Sequence, residues 1–404
     1  MRLSRRSVLT AGLAVAAGAL LRPRLARAGS PKNLLIWWNA GGWDTTYVLD
    51  PHFGAALDND PDSEPATTGS IFWADAESRP SVRRFFETWG SRAVVVNGLG
   101  VGSISHDGCT RLLLTGARQE TGTDLGAIVA GATGADLAMP YAVLGGPRYP
   151  GALGELSTDV NSTFSSIVQG DLPVGSDLRR EDAAAAWVAG EADALLAARE
   201  RPRLRSWRQG LDRLAVVRAK ADVLDAGEET SIADKVALAR TLLQEGISRS
   251  LMFAPPRLQG TTWDSHSDNH EFQPRAWEGS FADLLVLLAA LEAAPGASGT
   301  LLDDTLVVVA SEMGRSPILN AQDGKDHWPT TSMILLGGGV EGGRTVGATD
   351  DQLTGAPMDL ATGGLDPGGA RLTVANLLSG LLSGFDVDPE AWFPGVVPLG
   401  GLFG

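Results

Sequence analysis

One cysteine, Cys109, stands in 404 residues, so no disulfide can close within the chain. Positive charge is scarce: 33 Lys and Arg face 48 Asp and Glu, a formal net charge of −15. Residues 1–28 hold six Arg and no acid, and without them the charge is −21. A field of that sign argues against nucleic acid and against anionic membrane surfaces as partners. The longest leading apolar stretch, Ala11–Leu21, is too short to span a bilayer and runs into Arg22, Arg24 and Arg27. No stable membrane anchor is therefore expected. Internal repeats and low-complexity tracts are absent. Histidine is rare, with only His52, His106, His266, His270 and His327.

What the chain does contain is glycine, fifty residues of it, and 44% hydrophobic residues. That composition supplies a core and favours long loops and tight strand-to-helix turns over a helical bundle. Residues 1–28 read as a targeting segment. Ser4-Arg5-Arg6-Ser7-Val8-Leu9 is a twin-arginine pattern, and Ala26-Arg27-Ala28 offers a small-x-small cleavage site. The expected route is the twin-arginine translocase, which carries folded and often cofactor-loaded proteins. The expected location is periplasmic or extracellular.

Residues 29–404 read as one α/β domain. Asn33–Asn39, Ala93–Asn97, Tyr141–Leu144, Ser248–Phe253, Leu306–Ala310 and Met333–Leu336 are short apolar runs of strand length. Several are near-continuous, as in strands buried on both faces of a mostly parallel sheet. Val82–Trp89, Thr110–Leu114, Thr123–Gly134, Gly279–Ala294 and Leu372–Leu382 read as helices. Thr123 is the expected N-cap of its helix. Residues 50–80 and 145–180 read as long loops, and residues 181–246 as about three amphipathic helices forming a helical segment. Strands alternating with helices indicate a three-layer α/β/α sandwich.

The histidines follow or abut acid-bearing motifs at strand ends, where open α/β sheets place their chemistry. Asp264 and His266 share a face if the segment is extended, whereas His266 and His270 share one if it is helical. Asp44, Glu312 and Asp326 add hard oxygen donors beside His327. Mixed imidazole and carboxylate sets suit divalent ions, and two such ions can clamp both oxygens of an in-line displacement. Trp43, Trp263 and Trp328 adjoin these motifs; either they wall a site or they belong to the core. Arg315 is a candidate for an anionic substrate, since its guanidinium pairs bidentately with phosphate or sulfate.

The motifs GGWDTTYVLDP (41–51), SHDGCTRLLLTG (105–116), WDSHSDNH (263–270), SEMGRSP (311–317), KDHWP (325–329) and GGGVEGGRTVGATD (337–350) resemble an exported bacterial family, domain of unknown function 1501. That family is similar in fold to the alkaline phosphatase and sulfatase superfamily. The resemblance implies a metal centre at the carboxyl ends of the strands. Asp44 matches a first-strand metal aspartate, Asp264 and His266 an Asp/His pair with His270 as a further candidate, and His327 a late metal histidine. Glu312 and Met313 stand where sulfatases carry Asp-His. Counting back from Gly116 places His106 at the nucleophile position. Cys109 falls three residues later and lacks the proline of the formylglycine signal, so that chemistry is not expected. His106 is then a ligand or a phospho-accepting nucleophile, with Ser105, Thr45 and Thr46 behind it; a metal-activated water needs no side-chain nucleophile.

The expectation is an exported metal-dependent hydrolase of phosphate or sulfate esters, acting on a small-molecule or glycan ester. It would hold one or two divalent ions, with zinc, calcium, magnesium and manganese left open. One alternative is a non-catalytic exported metal-binding scaffold of the cell envelope that keeps the hydrolase fold. Another is a polysaccharide-modifying or phospho-group transferase.

Overall fold

The computed structural model describes residues 32–54, 56–119, 122–161, 164, 166, 201–220, 224, 231–256 and 260–404. The expected leader and the first part of the expected helical segment, 181–200, lie outside them. In chain order the main elements are β1 (Asn33–Trp38), the hairpin β2 (Glu64–Thr68) and β3 (Ile71–Asp75), α1 (Pro80–Trp89), β4 (Ala93–Gly100), α2 (His106–Thr115), α3 (Leu125–Thr133), β5 (Tyr141–Leu144) and β6 (Ser157–Asp159). There follow α4 (Arg201–Arg218), α5 (Ile232–Gln244), β7 (Ser250–Phe253), α6 (Asn269–Ala293), β8 (Thr305–Ala310), β9 (Gly314–Arg315), β10 (His327–Trp328), β11 (Thr330–Leu336), β12 (Arg344–Val346), β13 (Pro357–Met358), β14 (Ala370–Arg371) and α7 (Val374–Gly384).

Eight strands form one sheet in the order β12-β4-β11-β8-β1-β7-β5-β6. β1 lies at its centre, parallel to β7 on one side and β8 on the other. Alternation along β1 divides the core. Leu35 and Trp37 join Phe85 of α1, Leu242 of α5 and Trp277 of α6 on one face. Leu34, Ile36 and Trp38 join Leu113 of α2, Ile128 of α3 and Leu377 of α7 on the other. This is the expected α/β/α sandwich: side chains of one strand alternate between faces, so a strand that is apolar throughout must be covered on both sides.

Three details differ from the sequence reading. β11 runs antiparallel to both neighbours, β4 and β8, because β9, β10 and a short loop return the chain from the carboxyl end of β8. Residues 50–80 contain the β2–β3 hairpin rather than loop alone. α3 is capped by Asp124, whose carboxylate accepts the Ala127 N–H at 2.8 Å, not by Thr123. Among the described residues no helix is long and apolar enough to cross a membrane.

Candidate metal centre

Four segments meet at the carboxyl ends of β1 and β8. After β1 the chain turns through Gly41 and Gly42, both at positive φ (129° and 82°). The turn passes close to another loop: a Cβ on Gly41 would lie 2.8 Å from Trp263 Cβ and 2.9 Å from Asp264 N. Ser311 and Glu312, directly after β8, fasten this turn. Gly42 and Trp43 N–H donate to Ser311 Oγ at 3.0 and 3.2 Å, and Gly41 N–H donates to Glu312 Oε1 at 2.8 Å. Ser105 N-caps α2, which places His106 in its first turn. β9 pairs with β10 so that His327 lies opposite Arg315. Residues 263–268 form a bent loop, ending with Asp268 in the left-handed region (φ 51°), until α6 begins at Asn269.

These segments bring together His106, Asp264, His266 and His327. His266 Nε2 is 2.9 Å from His327 Nε2 and 3.3 Å from Asp264 Oδ1. His327 Nε2 is 3.4 Å from the same oxygen, and His106 Nε2 is 3.4 Å from Asp264 Oδ2. Each imidazole is also fixed at its other nitrogen. His106 Nδ1 meets Glu312 Oε1 at 2.8 Å, His266 Nδ1 meets Asp326 Oδ1 at 3.1 Å, and His327 Nδ1 meets the Ile104 carbonyl at 2.7 Å. Each of these partners is an acceptor, so each Nδ1 carries the proton. Ligand atoms of His106, Asp264 and His327 all lie within 4.8 Å of one another, and His266 Nε2 adjoins the last two.

Arg315 is 1% exposed and is not open to a substrate. This corrects the expectation of a substrate-contacting guanidinium. It donates to the Gly42 carbonyl at 2.9 Å, the Lys325 carbonyl at 3.0 Å, the Gly41 carbonyl, and Asp264 Oδ1 at 2.7 Å. Burial raises the Asp264 carboxyl pKa, but the Arg315 hydrogen bond and charge, aided by His106 and His327, outweigh it and hold the group below its ordinary value. The Glu312 hydrogen bond raises His106 against the opposing effect of its burial.

Two other expected ligands lie elsewhere. Asp44 is fully buried, and Lys325 Nζ lies 2.8 Å from its Oδ2. Its carboxylate also accepts from Asn269 Nδ2 at 2.9 Å and Thr46 Oγ1 at 2.7 Å, which fills its acceptor positions. His270 is on the first turn of α6 and bonds through Nδ1 to the Tyr47 hydroxyl. Because α6 starts only at Asn269, His266 and His270 share no helical face. Glu312 and Asp326 face Nδ1 atoms, not the point where the Nε2 atoms converge. Trp43 is core, stacked 4.7 Å from Trp277, whereas Trp263 lines a cleft beside the cluster. Lys325 was not singled out from the sequence; a lysine is rarely fully buried, and only its place within KDHWP marked it.

A cluster of histidines and an aspartate thus lies at the strand carboxyl ends of an α/β/α sandwich and forms a candidate metal site. Residues 92–393 match the family described as "Protein of unknown function (DUF1501)", and the chain belongs to it. The GGWD turn, Gly41–Asp44, precedes the matched region. No curated protein matches the sequence. Among solved structures, the chain resembles the PsFucS1 sulfatase from Pseudoalteromonas sp., at 10% identity and a TM-score of 0.41 over 100% of this chain and 76% of that one. It also resembles the phosphonate monoester hydrolase of Agrobacterium radiobacter, at 11% identity and a TM-score of 0.37 over 91% and 78% of the two chains. The likeness is one of fold.

Proposed function

We propose that this protein is an exported hydrolase that uses a single divalent ion, held by Nε2 of His106, His266 and His327 and by Asp264, to cleave phosphate or sulfate esters. The observation that carries the reading is the convergence of ligand atoms of His106, Asp264 and His327 within 4.8 Å of one another, with His266 beside them. Two unprotonated imidazole nitrogens 2.9 Å apart repel unless a cation or a shared proton lies between them. For a tetrahedral ion with bonds of about 2.05 Å, neighbouring donors lie about 3.3 Å apart. The three imidazoles lie 3.3 to 3.4 Å from Asp264 oxygens, close to that spacing. The nitrogen-rich set favours zinc or a similar borderline ion over calcium or magnesium.

When bound, the ion would act as a Lewis acid on an ester oxygen and lower the pKa of a water beside it. The chain's own residues do the rest. Glu312, Asp326 and the Ile104 carbonyl hold the three rings in one tautomer and orientation, the arrangement that metal-binding histidines usually require. Arg315 fixes Asp264 and keeps it ionised. Lys325 neutralises Asp44, so that carboxylate is not free for a second ion; one ion per chain follows. His106 is accordingly a ligand rather than a nucleophile, and the attacking group is a water.

A second reading is favoured by the donor count. Four protein donors can close a tetrahedral ion, as in structural sites, which suits a non-catalytic scaffold. Export through the twin-arginine pathway rests on residues 4–9; replacing Arg5 and Arg6 by Lys should retain the protein in the cytoplasm.

The test is elemental analysis of the purified mature protein, with turnover of aryl phosphate, phosphodiester and sulfate esters. One ion per chain with turnover, both lost in Asp264→Ala and His327→Ala, supports the hydrolase. One ion without turnover supports the scaffold. Metal-free protein from cells grown with adequate zinc overturns both.

A further inference from the structure

A cleft of about 670 Å³ opens beside the histidine cluster, and it carries charge of one sign. Asp107, Asp264, Asp283 and Glu312 line it, and among the described residues no Lys or Arg does. Asp264 and Glu312 are committed to the centre. Asp107 and Asp283 are not: neither has a hydrogen bond or ion pair among the described residues. Asp283 lies on α6, half-buried, and burial alone raises its carboxyl pKa. Among the described residues, two basic side chains on neighbouring segments are occupied. Arg111 sits 4.5 Å over the Tyr149 ring, and Lys235 donates to the Ala254 carbonyl at 2.7 Å. An unanswered carboxylate in a partly dry cleft is costly unless something charged or hydrogen-bonding meets it.

A second polar group in the cleft also lacks a partner. Asn39, at the end of β1, is 2% exposed and lines the same cleft. The Ser280 hydroxyl accepts from Trp37 Nε1 at 3.1 Å and donates to Asn39 Oδ1 at 2.7 Å. Asn39 Nδ2 is buried with no acceptor. Buried amide donors are almost always paired, so a ligand oxygen here would satisfy it. Trp263 and Tyr149 add aromatic surface to the lining. The cleft thus offers carboxylates for a cation, an amide donor for an oxygen, and ring faces for an apolar surface.

We propose that this cleft binds a protonated amino sugar, its ammonium meeting Asp283 and Asp107, a ring or hydroxyl oxygen accepting from Asn39, and its face against Trp263 and Tyr149. The sugar would be the alcohol part of the ester, and that role alone rests on the proposed function. The charge pattern disfavours an anionic unit such as a uronic acid, which would face two uncompensated carboxylates. Binding itself requires neither an ion nor turnover, because Asp283, Asp107 and Asn39 are not among the proposed ligands.

The test is a ligand-observed NMR titration of the mature protein, with and without added zinc, using glucosamine, glucose and glucuronate below the pKa of the sugar amine. Glucosamine should bind about tenfold more tightly than glucose, a difference of about one well-placed ion pair. Glucuronate should bind more weakly than either. Asp283→Asn should bring glucosamine and glucose within about twofold of each other at an unchanged melting temperature. Asp107→Asn, on the exposed first turn of α2, should narrow the gap in part and serves if the first variant does not fold. Equal binding of glucosamine and glucose, preference for glucuronate, no binding of any probe, or a preference untouched by the variants overturns the inference. Amine selectivity in a protein that holds no metal would leave the inference standing while the proposed function fell.

Discussion

Lys325 Nζ lies 2.8 Å from Asp44 Oδ2, and both side chains are sealed from solvent. Two charges taken out of water are stable only as a pair with their remaining positions satisfied. Asp44 meets that requirement through Asn269 and Thr46, and Lys325 adds a contact to Thr46 Oγ1 at 3.3 Å. Lys325→Met would leave a buried carboxylate with no cation, at a cost of about 3–5 kcal/mol. The double variant Asp44→Asn with Lys325→Met leaves neither charge and should recover most of that loss. Denaturant unfolding of the single and double variants checks this. Additive losses would show that the two groups act independently.

The pairing also bears on the number of ions. Glu312 touches no point where Nε2 atoms converge, yet it accepts from both His106 Nδ1 and the Gly41 amide, each at 2.8 Å. Glu312→Gln keeps an acceptor but removes the charge that strengthens the ring's hold. It should still bind one zinc per chain, about 10–100-fold more weakly than wild type. Competition with a chromophoric chelator measures this. Loss of all binding would mean that Glu312 is itself a ligand, and unchanged affinity would mean that it does not orient the ring.

Part of this arrangement could be read from the sequence, and the division is physical. β8 was legible because Leu306, Val307, Val308 and Val309 leave no polar face, and only a strand covered on both sides tolerates that. The reversed direction of β11 was not, because apolar content does not encode strand polarity. The β2 strand was missed because Glu64, Pro65 and Thr67 are exposed and polar, like a loop. All five histidines were legible as candidates by their acidic neighbours. Which of them meet was not, since that depends on where α6 begins. Had the helix started at His266, His270 would share its face; it starts at Asn269, and His270 turns to Tyr47. The roles of Glu312, Asp326 and Arg315 were also hidden, because one carboxylate looks the same in sequence whether it faces an ion or the back of an imidazole.

Gly41 sets the position of Asp264. At φ 129° any side chain is strained, and a Cβ would press into backbone and Cβ atoms at Trp263 and Asp264 that have nowhere to swing. Gly41→Ala should therefore cost about 1–3 kcal/mol from backbone strain alone. It should also weaken metal binding by moving Asp264 away from the three imidazoles. Thermal unfolding in the presence of chelator isolates the first effect, and zinc affinity reports the second. A stable variant with wild-type affinity would show that the GGWD turn does not brace the centre.

Asp124 gives a pH dependence remote from the histidines. Its carboxylate caps α3 and accepts the Tyr149 N–H, and burial pushes its pKa up to about 6 despite those hydrogen bonds. Unfolded, the group titrates near its ordinary value of about 4. Between those two pH values the native chain holds a proton that the unfolded chain has released. The contribution to stability is therefore complete in acid, declines as pH rises to about 6, and is constant above that. The decline should reach about 3 kcal/mol, from a shift of about two units at 1.36 kcal/mol each. Asp124→Asn retains an oxygen for the Ala127 N–H and has no proton to lose. Unfolding free energies of the two proteins in the presence of chelator should therefore diverge in favour of the variant from about pH 4 to about pH 6 and run parallel above. Parallel curves across the whole range would mean that Asp124 is ionised in the folded protein at every pH where it is ionised in the unfolded one.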